Sequence, residues 1–411
     1  MRRTPVIALA SLALGLIPFG SGGAKGDFTL NTLASFSGPQ RIAPAGTLVR
    51  DAQGNIYGTT NAGGANGQGS VFKVAAGGGT ATTVVSFNGT NGANPVAGLT
   101  ADAQGNLYGT TAGGGAYNRG SVFEVAPGTG ALSTLASFNG TNGNQPLTGL
   151  VIDAQHNLYG TSELVGSSSA SEVYKVAAGS GTITSLATFN FANASFSINA
   201  LALDSRGNLY GANGVTANAS GTVFEVVAGT GSITNLATFN GPSPNAGVTL
   251  DAAGNIYGAA FGGGANGNGF VYRIAADTGI LSTIASFSDV TGSGAGFPLT
   301  LDAAGNIFGT TRFGGVNGGG TVFEIGAGTN TFTVLANFNS FNAGSPTGGL
   351  ILDAQGNLYG ATNGGGPVNT GTVFELVNNA AVPEPGSWII LGQATLVGLG
   401  LAIRSRSRRR L

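Results

Sequence analysis

The chain has 411 residues, 42% of them hydrophobic and 8% charged, with 75 glycines and no cysteine. Apolar side chains are plentiful enough for a core, and the lack of cysteine excludes disulfides and thiolate chemistry. Between Lys25 and Val382 nine basic residues face sixteen acidic ones, a formal −7 that would repel a phosphate backbone and excludes nucleic acid as a partner.

At the N-terminus Arg2 and Arg3 precede an apolar run from Val6 to Phe19, and small residues follow through Gly22 and Ala24. This order reads as a secretory signal peptide over residues 1–24, cut after Ala24, with a buried helix as the alternative. The run is too short for a permanent span.

Residues 25–378 repeat one pattern. The stretch DAQGNLYGTT at Asp102 returns as DAQGNLYGAT at Asp353, with variants opening at Asp51, Asp153, Asp204, Asp251 and Asp302; the spacings are 51, 51, 51, 47, 51 and 51. Six residues after each aspartate stands an aromatic: Tyr57, Tyr108, Tyr159, Tyr210, Tyr257, Phe308 and Tyr359. A second follows in a Val-aromatic pair (Phe72, Phe123, Tyr174, Phe224, Tyr272, Phe323, Phe374), and a third precedes the aspartate (Phe36, Phe87, Phe138, Phe189, Phe239, Phe287, Phe338).

Each unit therefore holds four short runs rich in β-branched and aromatic residues, cut by Gly, Asn and Pro, and these predict four strands. The aspartate motif predicts a hairpin turn between the first two, with glycine supplying a left-handed conformation. Four strands per 40–50 residues, seven times over, predict an all-β chain folded as a seven-bladed β-propeller of four-stranded antiparallel blades. A β-helix needs shorter coils, and separate 51-residue beads this rich in glycine could not bury a core.

The repeat begins at Phe36, a fourth-strand aromatic, and ends after Phe374, a third-strand one. If blades run from the aspartate hairpin to segments like TLASF, residues 28–36 supply the missing fourth strand of the last blade and clasp the ring. The fourth unit is shortened in its loops, with its strands spared.

Beyond the repeat, residues 379–386 form a proline-containing linker with the motif Val382-Pro383-Glu384-Pro385. Ser387 to Ile403 is free of charge, about 25 Å as a helix, and Arg404, Arg406, Arg408, Arg409 and Arg410 follow. Residues 387–411 thus read as a transmembrane helix with a basic cytoplasmic tail, which leaves the repeat facing outward. An ordinary tail anchor is one reading.

The motif, the short span and the arginine cluster in this order look like the PEP-CTERM sorting signal. That resemblance implies a transient inner-membrane anchor read by an exosortase-type membrane transpeptidase in a Gram-negative, exopolysaccharide-making bacterium. The repeat itself, with GNLYGTT, (S/T)VFEV and SFNGTNG, resembles the GloVer tandem repeat of exported bacterial proteins, which implies no established activity. Its hairpin is also similar to NHL-type propellers, some of which are enzymes.

The residues name no reaction. His156, the lone histidine, replaces the turn glycine in DAQHNLYG and has no second His or Cys with which to form a zinc site or a nucleophile pair. Seven aspartates demanded by seven hairpins read as caps on turn amides, not as catalysts or a calcium ring. Loops such as GGANGQG lack the lysine and following helix of a phosphate cradle. Lys73, Glu124, Lys175, Glu225, Arg273, Glu324 and Glu375 follow the Val-aromatic pairs; a solvated strand face is the main reading, and pairing between neighbouring blades is the alternative.

No catalytic residue, cofactor or metal is assigned. The function expected is an exosortase-sorted surface or extracellular-matrix protein, structural or binding carbohydrate, such as exopolysaccharide, or other surface proteins, without catalysis. The alternative is a lyase- or lactonase-like propeller enzyme acting at the central channel.

Overall fold

Runs such as LYGTT and SVFEV are dense in residues that suit a pleated, buried surface, and each becomes a strand where glycine or asparagine ends it. A computed structural model describes residues 28–37, 43–163, 171–189, 197–198, 200–214, 221–241, 244–339 and 343–379. The strands form seven antiparallel sheets within the unit Phe28–Asn378. Blade 2 shows the plan: Thr100–Ala101 innermost, then Leu107–Thr111, Ser121–Val125 and, outermost, Leu132–Ser137. First strands of successive blades touch one another from blade 1 to blade 4 and again between blades 7 and 1, so they surround the axis. The fold is a seven-bladed β-propeller.

Two blades add to the plan. In blade 4 Ser197–Ile198, and in blade 7 Gly344–Pro346, also pair with the second strand ahead of the short first strand.

No blade is stable alone, because its apolar side chains are shared with its neighbours. Seven buried clusters each join two adjacent blades; Val71, Val85 and Phe87 of blade 1, for instance, pack with Leu99, Leu107, Phe123 and Val125 of blade 2. At every seam the third aromatic of one unit meets the second aromatic of the next. Phe87 meets Phe123 at 5.0 Å between ring centroids, Phe138 meets Tyr174 at 5.1 Å, and Phe338 meets Phe374 at 5.0 Å. Room for these rings comes from the glycine after the second-strand aromatic: a Cβ on Gly109 would lie 2.5 Å from Cζ of Phe123 and 3.0 Å from Cδ2 of Leu99.

The ring closes through its N-terminal segment. Phe28–Ser35 pairs antiparallel with Thr372–Asn378, the third strand of blade 7. In blade 2 Val122 opposes Ala136 and Phe123 opposes Thr134, with Leu135 bulged out between them. The closing strand repeats that pattern, Val373 against Ala34 and Phe374 against Thr32. Phe36 then completes the seventh aromatic pair with Phe72 of blade 1, at 4.9 Å.

Antiparallel order divides the molecule into two faces. Turns between strands 1 and 2 and between 3 and 4 lie on one, the turn face; the 2–3 loops and the 4–1 connections lie on the other, the loop face. The signal peptide expected at 1–24, the motif at Val382 to Pro385, the helix expected from 387 and the arginine cluster at 404–410 lie outside the described residues. Among the described residues no helix is long and apolar enough to cross a membrane.

Candidate functional site

The aspartates stand on the turn face, and each carboxylate is consumed by its own hairpin. Asp102 Oδ1 accepts from the amides of Gln104 (3.0 Å) and Asn106 (2.9 Å), while Oδ2 accepts from Asn106 Nδ2 (2.7 Å) and the Tyr108 hydroxyl (3.0 Å). The same four bonds recur at Asp51, Asp153, Asp204, Asp251 and Asp353. Asp302 has three, because Phe308 brings no hydroxyl. The asparagine in turn accepts the amide of the 3–4 turn, as Asn306 does from Ala327 at 2.9 Å. In blade 2 that position is Pro127, which has no N–H to give.

Burial pushes these carboxyls up, but the donated hydrogen bonds outweigh it, and Asp51, Asp102, Asp153, Asp204, Asp251 and Asp353 all lie below the ordinary 3.8. On the other side of the bond, burial and then Asp153 push the Tyr159 phenol up to about 12. A carboxyl lowered on folding stabilises the fold above its unfolded pKa and loses that contribution as pH falls through the folded value. The urea midpoint is therefore expected to be flat from neutral pH to about 4 and to drop below it. Asp102→Asn sets an amide against two donors, so it is expected to cost about 1–3 kcal/mol at pH 7 and to show a shallower acid drop than wild type; parallel acid limbs in the two proteins would refute the assignment.

His156 occupies the turn-glycine position with φ 61°, in the left-handed region. Its Nδ1 lies 3.5 Å from Oδ2 of Asp102 on the preceding blade. A similar reach crosses the closure: Arg50 stands 3.8 Å from Asp353 and over the Tyr359 ring of blade 7. Arg50 fills a position held elsewhere by Ala101, Ile152, Leu203, Leu250, Leu301 and Leu352, and that departure was its only sequence signal.

Five of the charges after the Val-aromatic pairs have a partner within their own blade. Each of the seven lies opposite the aromatic of its own second strand. Lys73 and Lys175 sit over the Tyr57 and Tyr159 rings, Tyr210 and Tyr359 donate to Glu225 and Glu375, and Arg273 donates to Asn255. Cross-strand register, with Tyr57 opposite Lys73 and Tyr359 opposite Glu375, puts these partners nearer than the next blade.

A ring of repeated units can hold a single site only where one unit departs from the others. Ten residues after each aspartate, where the second strand leaves for the loop face, stand Asn61, Ala112, Glu163, Gly214, Phe261, Arg312 and Asn363. Three of these, Asn61, Arg312 and Asn363, line a cleft of about 390 Å³ with Pro44, Val96, Phe297, Pro346 and Thr347. Its walls come from blades 6, 7, 1 and 2, so it sits at the axis, at the loop-face mouth of the channel. The hydroxyl of Thr347 is buried there with no hydrogen-bond partner. A second cleft of about 390 Å³ continues outward over the seam of blades 6 and 7 and shares Ser345 and Asn363 with the first. Both fall within the size range of small-molecule sites.

Blade 3 carries the other departure. Where blade 2 has a buried hydroxyl pair, Thr111 and Ser121 at 2.9 Å, blade 3 has Ser162 donating to Glu172 at 2.9 Å. Glu172 is 1% exposed, and burial raises its carboxyl against the hydrogen bonds from Ser185 and Ser162. Among the described residues no three His, Cys, Asp or Glu side chains are placed to hold a metal ion.

A family model described as the Gloeobacter/Verrucomicrobia repeat matches residues 24–219 and again 197–383. The chain belongs to this family. No curated protein sequence matches this Gloeobacter/Verrucomicrobia repeat protein. Among solved structures it is similar to oligogalacturonate lyase in complex with manganese, at TM-score 0.58 and 12% identity over 88% of this chain and 99% of the lyase. It is also similar to the extracellular domain of a B. thetaiotaomicron protein assigned as a one component system, at TM-score 0.55 and 11% identity over 85% of this chain; there the repeat protein spans 40% of the other chain's length. A Bacteroides uniformis protein assigned as a 6-phosphogluconolactonase aligns at TM-score 0.50 and 16% identity, over 78% and 88% of the two chains. At such identities the likeness is one of fold, shared by proteins with and without catalysis.

Proposed function

We propose that this repeat protein is exported, sorted through its C-terminal signal to the cell surface or extracellular matrix, and acts there as a carbohydrate-binding or structural module without catalysis. The observation that carries the reading is the pair of joined loop-face clefts, whose walls are asparagine, serine, threonine and glycine peptide groups with apolar Phe297, Pro44 and Pro346 between them. Such walls offer hydrogen bonds to hydroxyls and apolar faces to sugar rings. Seven of the carboxylates, by contrast, are turn aspartates already spent on the opposite face. A lyase or lactonase would need an unspent acid or base in the cleft, and the described walls contain none.

The test is a glycan array and polysaccharide pulldown with the exported protein, alongside fractionation of cells carrying Val382, Pro383, Glu384 and Pro385 replaced by alanine. Glycan retention by wild type, and accumulation of the variant in the membrane fraction, are expected. Turnover of a bound glycan would replace the binding reading with the catalytic one.

A further inference from the structure

The clefts contain one charge. Among the described residues Arg312 is the sole ionic side chain in the walls of either. Its guanidinium is exposed and lies 5.6 Å from the Phe313 ring centroid, and among the described residues no carboxylate pairs with it. No other blade places a cation at the same position, where Asn, Ala, Glu, Gly and Phe stand instead. Asn61 and Asn363 line the same cleft, both exposed, and among the described residues their side-chain amides have no hydrogen-bond partner.

We propose that the loop-face clefts bind an acidic oligosaccharide, a uronate-type chain, with one sugar carboxylate paired to Arg312 at the channel mouth and neighbouring sugars running outward over the seam of blades 6 and 7. This rests on the carbohydrate-binding reading above and narrows it to a charge class and a direction. Guanidinium and carboxylate meet in a planar, two-bonded fork, which a neutral hydroxyl cannot match. Two clefts that share Ser345 and Asn363 make a track longer than one sugar, which suits a chain over a monosaccharide.

The formal −7 of the propeller does not oppose this, because its acids are unevenly placed. The seven repeat aspartates and Asp277 lie in turns on the other face, and Glu124, Glu225, Glu324 and Glu375 stand near the same end of the third strands. On the loop face the described acids are Glu163, Glu172 and Asp289, and none of them lines the clefts. Charges across the disc are screened within about 8 Å at physiological salt, so the local cation decides.

The experiment is calorimetric titration of the full chain with alginate hexasaccharides and with the same oligomers after carboxyl reduction. Wild type is expected to prefer the acidic form by at least 10-fold, and Arg312→Ala to lose about 10- to 100-fold of that affinity with an unchanged melting temperature. Arg312→Lys should keep the preference for the acidic form while recovering part of the affinity. Arg206→Ala, a cation removed from the turn face, should change nothing. Equal binding of both oligomers, or an Arg312→Ala variant that binds like wild type, would overturn the acidic-chain proposal and leave the carbohydrate reading standing. Failure of wild type to bind any glycan on the array would overturn both.

Discussion

Deleting residues 28–36 is expected to abolish the cooperative unfolding transition and to leave a chain that self-associates. The segment supplies an entire outer strand of blade 7, and its loss exposes the ladder edge of Thr372–Asn378, a template for pairing with another chain. Two apolar clusters open at once. Ala34 and Phe36 belong to the cluster between blades 7 and 1, and Phe28 and Leu30 pack on the one between blades 6 and 7. Loss of a buried phenylalanine side chain alone costs about 3–5 kcal/mol, a large part of the roughly 5–15 kcal/mol that holds a typical domain. Because seven sheets share seven seams, one opened seam leaves both its blades half covered. Near-UV circular dichroism, a thermal melt and size-exclusion chromatography read the effect. A synthetic peptide of residues 28–36 added in trans should restore the transition by taking its place at the edge. A truncated protein that melts like wild type would show that closure contributes nothing.

The blade count, the four-strand unit and the closing strand were legible because each follows from spacing along one dimension. Seven aspartates at near-constant intervals and a missing fourth strand after Phe374 need no coordinates. What crosses a seam was not legible. Phe87 and Phe123 are both visible as repeat aromatics, but the unit pattern does not say that the ring leaving one blade packs on the next blade's third strand. The charges after the Val-aromatic pairs could be read as a solvated face or as pairs across the seam, and the unit pattern does not say that register sets Lys73, Lys175, Glu225 and Glu375 against the tyrosines of their own blades. Arg50 and Arg312 went unremarked because a lone basic residue in a repeat looks like surface drift. Only the closed ring shows that one meets Asp353 of the last blade and the other stands at the axis. The cleft was hidden for a related cause: its walls come from blades 6, 7, 1 and 2, which the sequence places at opposite ends of the chain.

The seam pairs make a second strong expectation. Phe123→Ala should destabilise the propeller by about 3–5 kcal/mol, since the ring is 0% exposed and fills the space that Gly109 leaves open above Leu99. Phe87→Ala removes the other half of the same edge-to-face pair, at 5.0 Å and 61°, and should cost a comparable amount. The two substitutions act on different blades, so blades held only by their own sheets would give additive losses. Contact across the seam predicts the reverse: the double variant should lose less than the sum of the singles, by about 0.5–1.5 kcal/mol. Guanidinium titrations of the four proteins measure the difference. A control pair drawn from different seams, Phe87→Ala with Phe224→Ala, should show no such coupling, because those rings belong to separate clusters on blades 1 and 4, which are not adjacent. Additivity in the first pair, or equal coupling in both, would mean that stability does not pass from blade to blade through these aromatics. Propagation around the ring through Phe36 and Phe72 would then need another carrier.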